Sequence, residues 1–278
     1  MQPTAIITWT LIVLNVIISY QGLRSESFFN RYCFSVDKIL VNREYIRMVS
    51  SGFLHLNWIH LILNMISLYL FSELLELYTG SMAFVIIYFA ALVGGNALAL
   101  FIHRQHGDYT AAGASGAVCG VIFATIALFP GITINPLILP LQIPGWLYGL
   151  VYILYSIYGI RSRHRNVGHE AHLGGALVGM LTAMAFHPDA VAANYMTILI
   201  ITVPCLAFIY LIITRPYVLY IDNFYFKQHY RNGTIDDRYN LEKVTEQNEI
   251  DDILEKIHRK GINSLTKAEK EKLDRFSK

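Results

Sequence analysis

Three short stretches of this 278-residue chain hold side chains that could do chemistry. His55, His60 and Asn64 lie in "HLNWIHLILN", Ser115 in "GASGAVCG", and His169 and His172 in "HEAHLGGALVG". A serine hydroxyl becomes a useful nucleophile only when a neighbouring base takes its proton, and neutral histidine is the usual base. Ser115 and His172 could form that pair. Acyl transfer also needs donors aimed at the developing oxyanion. His60 and Asn64 are four residues apart, on one helix face, so both could point there. Ser115 opens an apolar run, and the unpaired amides of a helix start favour negative charge. Its own amide is a third candidate donor.

The elements that must position these groups are membrane spans. The chain is 54% hydrophobic and only 15% charged, with mean hydropathy +0.42, against a soluble norm of about 25% charged. Runs long enough to cross a bilayer fall near 4–22, 54–78, 81–102, 113–130, 143–160, 170–187 and 194–214. The first has no preceding cationic region and no following cleavage site, so it reads as a span rather than a signal peptide. Spans two, four and six are alternate, so they run in one direction. Each carries its polar group near its N-terminal end, which puts all three groups at similar depth below one membrane face. Gly116 with Gly120 and Gly175 with Gly179 form small faces that let backbones approach. Spans four and six can therefore bring Ser115 to His172.

Each feature alone has a plainer reading. Ser115 alone fits a packing face, and His60 with Asn64 an interhelical hydrogen bond of about 1 kcal/mol. His169 with His172 alone would suit a proton path or a metal site. His103, His106 and His169 read as solvated side chains without a role. A transporter would normally show charge or broken helices near mid-membrane, and the body spans lack a mid-span lysine or carboxylate pair. Ionisable groups inside spans are functional candidates by default, and taken jointly Ser115, His172, His60 and Asn64 favour catalysis.

At these residues the sequence resembles the rhomboid family of intramembrane serine proteases. The resemblance rests on "GASG" around Ser115, "AHLGGALVG" around His172 and "HLNWIHLILN" in span two, with support from Arg47 and Glu76. It covers about residues 1–190. It implies a Ser115–His172 dyad without aspartate, an oxyanion hole from His60, Asn64 and the Ser115 amide, and structural roles for His55 and Glu76 in holding loop one and span two. It implies no cofactor and no metal, and transmembrane proteins as substrates. A rhomboid-like pseudoprotease that binds spans without cutting is the alternative. Two positions depart from the family pattern. Ile46 precedes Arg47 where a tryptophan is usual, and Cys119 stands where an aromatic ring usually packs on the base.

The expected fold class is an all-α polytopic membrane protein: a six-helix rhomboid bundle over 1–190, a seventh transmembrane helix in 191–216, and a soluble charged tail over 217–278. In the tail, Ile250, Ile253, Leu254 and Ile257 keep helical spacing, and Thr266 with Glu269 fits a capping box. The tail reads as a helical hairpin that docks an unknown protein partner. Nine Lys and Arg precede residue 166 and thirteen follow from Arg215. That split describes a membrane body with a solvated tail and implies a lipid bilayer, with no nucleic acid, as partner. Cys33, Cys119 and Cys205 lack metal or disulfide spacing. Tail type suggests a bacterial inner membrane. The basic loops would face the cytoplasm by the positive-inside rule, whereas the family would put that face, with the site's mouth, outside.

Overall fold

The computed structural model describes residues 6–134, 142–161 and 168–214, together with Ile253 and Thr266. It separates into two compact units, Met1–Lys227 and Gln228–Lys278. In the second unit Ile253 is helical and buried and Thr266 is exposed; the expected tail helices otherwise lie outside the described residues.

The first unit is a helical membrane bundle. Its helices are α1 (Ile6–Arg24), α2 (Glu26–Tyr32), α3 (Val36–Leu40), α4 (Arg47–Ser50), α5 (Trp58–Thr79), α6 (Ser81–His103), α7 (Ser115–Leu128), α8 (Gly145–Arg161), α9 (His169–Phe186) and α10 (Pro188–Thr214). Four apolar stretches, Ile6–Arg24, Trp58–Thr79, Ser81–His103 and Pro188–Leu211, are long enough to cross a membrane, and Ser115–Leu128 and Gly145–Tyr158 are shorter apolar helices. Local signals fix several ends. The Asn57 side chain accepts from the His60 amide at 2.8 Å, an N-cap that starts α5. Gly80, at φ 83°, ends α5 and opens α6, a backbone conformation that a side chain would strain. The last helix starts at Pro188, before the expected residue 194, and Asn194 marks a non-helical kink within it.

α7 lies at the centre, with every residue after Ser115 buried. At 14 residues it spans about 21 Å, roughly 9 Å less than the hydrocarbon core. Alone it is therefore too short to cross the hydrocarbon core. Close contact with α9 explains its small residues: a Cβ on Gly175 would strike the Gly116 carbonyl, and one on Gly120 would meet the Gly175 carbonyl at 2.9 Å.

Loop one, expected only as a polar connection, is built. It holds α2 to α4, and its Phe34–Ser35 strand (β1) pairs antiparallel with Thr110–Ala111 (β2), just before Ser115. Arg47 fastens it, donating to the carbonyls of Asn30 at 2.9 Å and Cys33 at 2.8 Å and to Glu44 at 2.7 Å. Asn96 of α6 donates to the Met48 carbonyl at 2.8 Å. Glu76, expected with His55 to hold loop one and span two, makes its hydrogen bonds at the end of span two rather than in loop one. Its carboxylate accepts from the amides of Ile7 and Thr8, the Thr8 hydroxyl and the Ser81 hydroxyl, so it caps the start of α1 and ties that end to the α5–α6 turn.

Candidate active site

Ser115 is the first residue of α7, so its amide has no partner within the helix. Two devices hold the chain that delivers it. Gly113, at φ 147°, accepts a turn that a side chain would strain; a Cβ there would lie 2.8 Å from the His60 ring and 3.6 Å from Ser115 Oγ. Its amide donates to the Ser51 carbonyl at 3.0 Å, and the Ala114 amide donates to His55 Nε2 at 3.4 Å. His55 is fully buried, and its other nitrogen meets Ser19 Oγ at 2.7 Å while Ser19 donates to the Phe53 carbonyl at 2.9 Å. Since the single Ser19 proton goes to that carbonyl, His55 Nδ1 carries a proton and Nε2 accepts. One tautomer follows from the network. The His55 and His60 rings meet edge to face at 5.0 Å.

On the other side, His172 sits in the first turn of α9. Its chain neighbour Ala171 presents a carbonyl 3.2 Å from where a Gly116 Cβ would stand, so the glycine lets the two helix starts meet. Tyr152 of α8 hydrogen-bonds His172 Nδ1 at 3.0 Å, and the same hydroxyl lies 3.0 Å from Cys119 Sγ.

The four expected site residues thus gather at one end of α5, α7 and α9, though not all in working contact. No hydrogen bond joins Ser115 to His172 among the described residues. Asn64 is buried, and its Nδ2 donates to the His60 carbonyl at 3.0 Å, so one of its two N–H bonds is turned along its own helix. His60 is half-buried against Gly113.

Three histidines expected to be solvated are not. His169 is 2% exposed, packed edge to face on Tyr155 at 5.2 Å. His103 donates to Glu170 at 3.1 Å and stacks on Tyr109 at 3.7 Å, and His106 is half-buried beside it. His169 opens a helix and is covered by Tyr155 of α8, whereas His103 and His106 pack together with Tyr109 of the loop before α7. In the loops, burial and then the Glu170 charge push the Tyr109 hydroxyl up, and the Arg47 hydrogen bond holds the Glu44 carboxyl below its usual value.

Sequence reasoning missed Tyr152. Its signal was present: Tyr148, Tyr152 and Tyr155 recur at i, i+4 and i+7 in an apolar run, a polar stripe down one face of α8. Ser19 was also missed, as a single hydroxyl in an apolar run. No group of three or more metal-ligating side chains occurs among the described residues.

Two family models match the chain. A Rhomboid domain family model matches residues 42–189, and a family of unknown function (DUF6576) matches residues 233–278. RHOMBOID-like protein 12, mitochondrial, of Arabidopsis thaliana is 27% identical over 188 residues, covering 62% of this chain and 55% of the relative. Rhomboid protein 1, mitochondrial, of Saccharomyces cerevisiae is 28% identical over 150 residues, covering 51% and 43%. Rhomboid-like protein 11, chloroplastic, of A. thaliana is 28% identical over 149 residues, covering 49% and 50%. The chain spans about half the length of these curated relatives.

Proposed function

The chain belongs to the rhomboid family, and from that premise we propose that it is an active intramembrane serine endopeptidase using Ser115 and His172. The observation that carries the reading is the meeting of two helix starts, Ser115 at the head of α7 and His172 in the first turn of α9, across the Gly116–Ala171 contact. In this reading His172 Nε2 takes the Oγ proton as Ser115 attacks the scissile carbonyl carbon. The oxyanion forms against the Ser115 amide, the His60 ring and the second N–H of Asn64. The imidazolium then gives its proton to the leaving amine as the C–N bond breaks. Water, deprotonated by the same nitrogen, releases the acyl group from Ser115. No cofactor enters these steps.

Substrates in this reading are transmembrane segments, reached from the bilayer. Their cleavage at a sunken site fits the short α7. The functional units are the catalytic core over 1–190, the added span in 191–216 and the tail over 217–278, where a protein partner would dock. A bacterial inner membrane is proposed on tail type alone, since the relatives above carry mitochondrial or chloroplastic names. The mouth of the site is proposed to face outward.

A second reading, a family member that binds spans without cutting them, is favoured by one observation: Ser115 and His172 share no hydrogen bond among the described residues. Catalytic hydrogen bonds are often long without substrate, so the protease reading stands first. Labelling of the detergent-solubilised protein with a fluorophosphonate probe decides between them. The protease reading expects the wild type to be labelled and Ser115→Ala and His172→Ala to stay dark. A folded wild type that stays unlabelled would overturn the protease reading and put the binding-only reading first.

A further inference from the structure

Cys119, Tyr152 and His172 come from three different helices and meet at one hydroxyl. Cys119 lies one turn after Ser115 on α7, Tyr152 on α8 and His172 on α9. The Tyr152 oxygen is 3.0 Å from Cys119 Sγ and 3.0 Å from His172 Nδ1. Its ring is held in place as well, edge-on to Phe123 at 5.9 Å and stacked with Tyr148 at 6.2 Å.

Resting on the protease reading above, we propose that Tyr152 is the positioning residue of the general base, with Cys119 as its anchor on the nucleophile's helix. A phenol has one proton to give. With the His172 proton on Nδ1, Tyr152 accepts it and donates its own to Cys119 Sγ, leaving the Nε2 lone pair for the Ser115 hydroxyl. The opposite order, thiol to phenol to Nδ1, would put the imidazole proton on Nε2, where it cannot take one from serine. The hydroxyl therefore fixes the direction of the ring, and in the first of these orders it also holds the tautomer that catalysis needs. A third group that orients a catalytic base is the general logic of such sites; here a tyrosine hydroxyl makes the Nδ1 contact. The departure at residue 119 also has a physical account. A ring at this position would occupy the space through which the Tyr152 hydroxyl reaches between α7 and α9, whereas a thiol leaves that space open and supplies a weak acceptor.

The test is the kinetics of fluorophosphonate labelling of the full-length protein in detergent, separating the maximal rate kinact from the probe constant KI. In that reaction Ser115 Oγ bonds phosphorus, fluoride leaves and His172 takes the proton. Tyr152→Phe keeps the ring and loses the hydroxyl, so kinact is expected to fall about tenfold, part of what a general base contributes, with KI unchanged. Cys119→Ala is expected to lower kinact about threefold, the size of one modest hydrogen bond, and Cys119→Ser, which retains an acceptor, to lose less than Cys119→Ala. A merely structural role would lower the folded fraction or raise KI and leave kinact alone, and that result overturns the proposal. So does a wild-type kinact in Tyr152→Phe when labelling still requires Ser115 and His172. If Tyr152→Phe does not fold, equal kinact in Cys119→Ala and Cys119→Ser overturns it. A wild type that never labels at Ser115 instead overturns the protease reading, and this inference with it.

Discussion

Two imidazoles flank the nucleophile, and each has a hydroxyl on Nδ1: Ser19 on His55 at 2.7 Å and Tyr152 on His172 at 3.0 Å. They differ at the other nitrogen. His55 Nε2 accepts the Ala114 amide at 3.4 Å, so both of its nitrogens are engaged, one with backbone and one with the Ser19 hydroxyl. His172 Nε2 has no hydrogen-bond partner among the described residues. The first ring is a brace between α1 and the chain entering α7; the second keeps a lone pair available. His55 is fully buried and His172 only half-buried, so the two rings differ both in exposure and in which nitrogen the fold leaves free.

The largest effects should separate the two rings. His172→Ala is expected to reduce fluorophosphonate labelling by about 10³-fold or more and to leave thermal unfolding in detergent close to wild type. His55→Ala should do the reverse. Removing a buried, doubly bonded ring strands the Ala114 amide, costing about 1–3 kcal/mol, and leaves Ser19 only its bond to the Phe53 carbonyl, while the folded fraction keeps measurable labelling. Equal loss of labelling from both variants, with both folded, would break the comparison.

How far the sequence could anticipate this depends on the length over which each signal acts. Spans such as α5 and α6 are apolar for more than 20 residues, so they were legible, as was the gathering of Ser115, His172, His60 and Asn64 at one level. Loop one was not, because its helices are four to seven residues long. Its order comes from Arg47 reaching carbonyls 14 and 17 residues away. The start of α10 was missed because the polar residues near Pro188 look like a loop. Asn194 fits the kink there by donating to the carbonyls of Ala127 and Leu128 at the end of α7. His169 looked solvated because its cover, Tyr155, comes from another helix. Tyr152 carries no motif of its own, and its meaning appears only when three helices converge.

The His172 side has a second support that the His55 side lacks, the glycine contact that presses α9 onto α7. Gly175→Ala puts a methyl against the Gly116 carbonyl, an atom fixed in a helix. The two backbones must separate, at a cost of about 1–3 kcal/mol for overpacking, and His172 moves away from Ser115 with its helix. Unfolding temperature and kinact should therefore fall together. Unchanged kinact at lower stability would mean that the base is positioned by Tyr152 alone.

Asn64→Ala should act more mildly, lowering cleavage of a transmembrane substrate about tenfold, below the 10²–10³ typical for a sole oxyanion donor. The Ser115 amide and the His60 ring would remain. A loss as large as that of His172→Ala would make Asn64 the dominant donor.

Ser19→Ala should have the smallest effect on chemistry, and it tests the brace most directly. The substitution removes the acceptor of the His55 Nδ1 proton and the donor to the Phe53 carbonyl. Neutral His55 could move its proton to Nε2, but that nitrogen would then face the Ala114 amide donor for donor. Either tautomer leaves a buried group unpaired, at a cost of about 1–3 kcal/mol, while Ser115 keeps its place at the head of α7 through the Gly113–Ser51 backbone bond. Thermal unfolding should fall and kinact should stay within about threefold of wild type, with Ser19→Thr restoring stability. Tyr152→Phe is its mirror image, low kinact at near-normal stability. If both hydroxyl deletions give the same pattern, the two imidazoles are not divided into brace and base, and the free nitrogen of His172 does not explain its role.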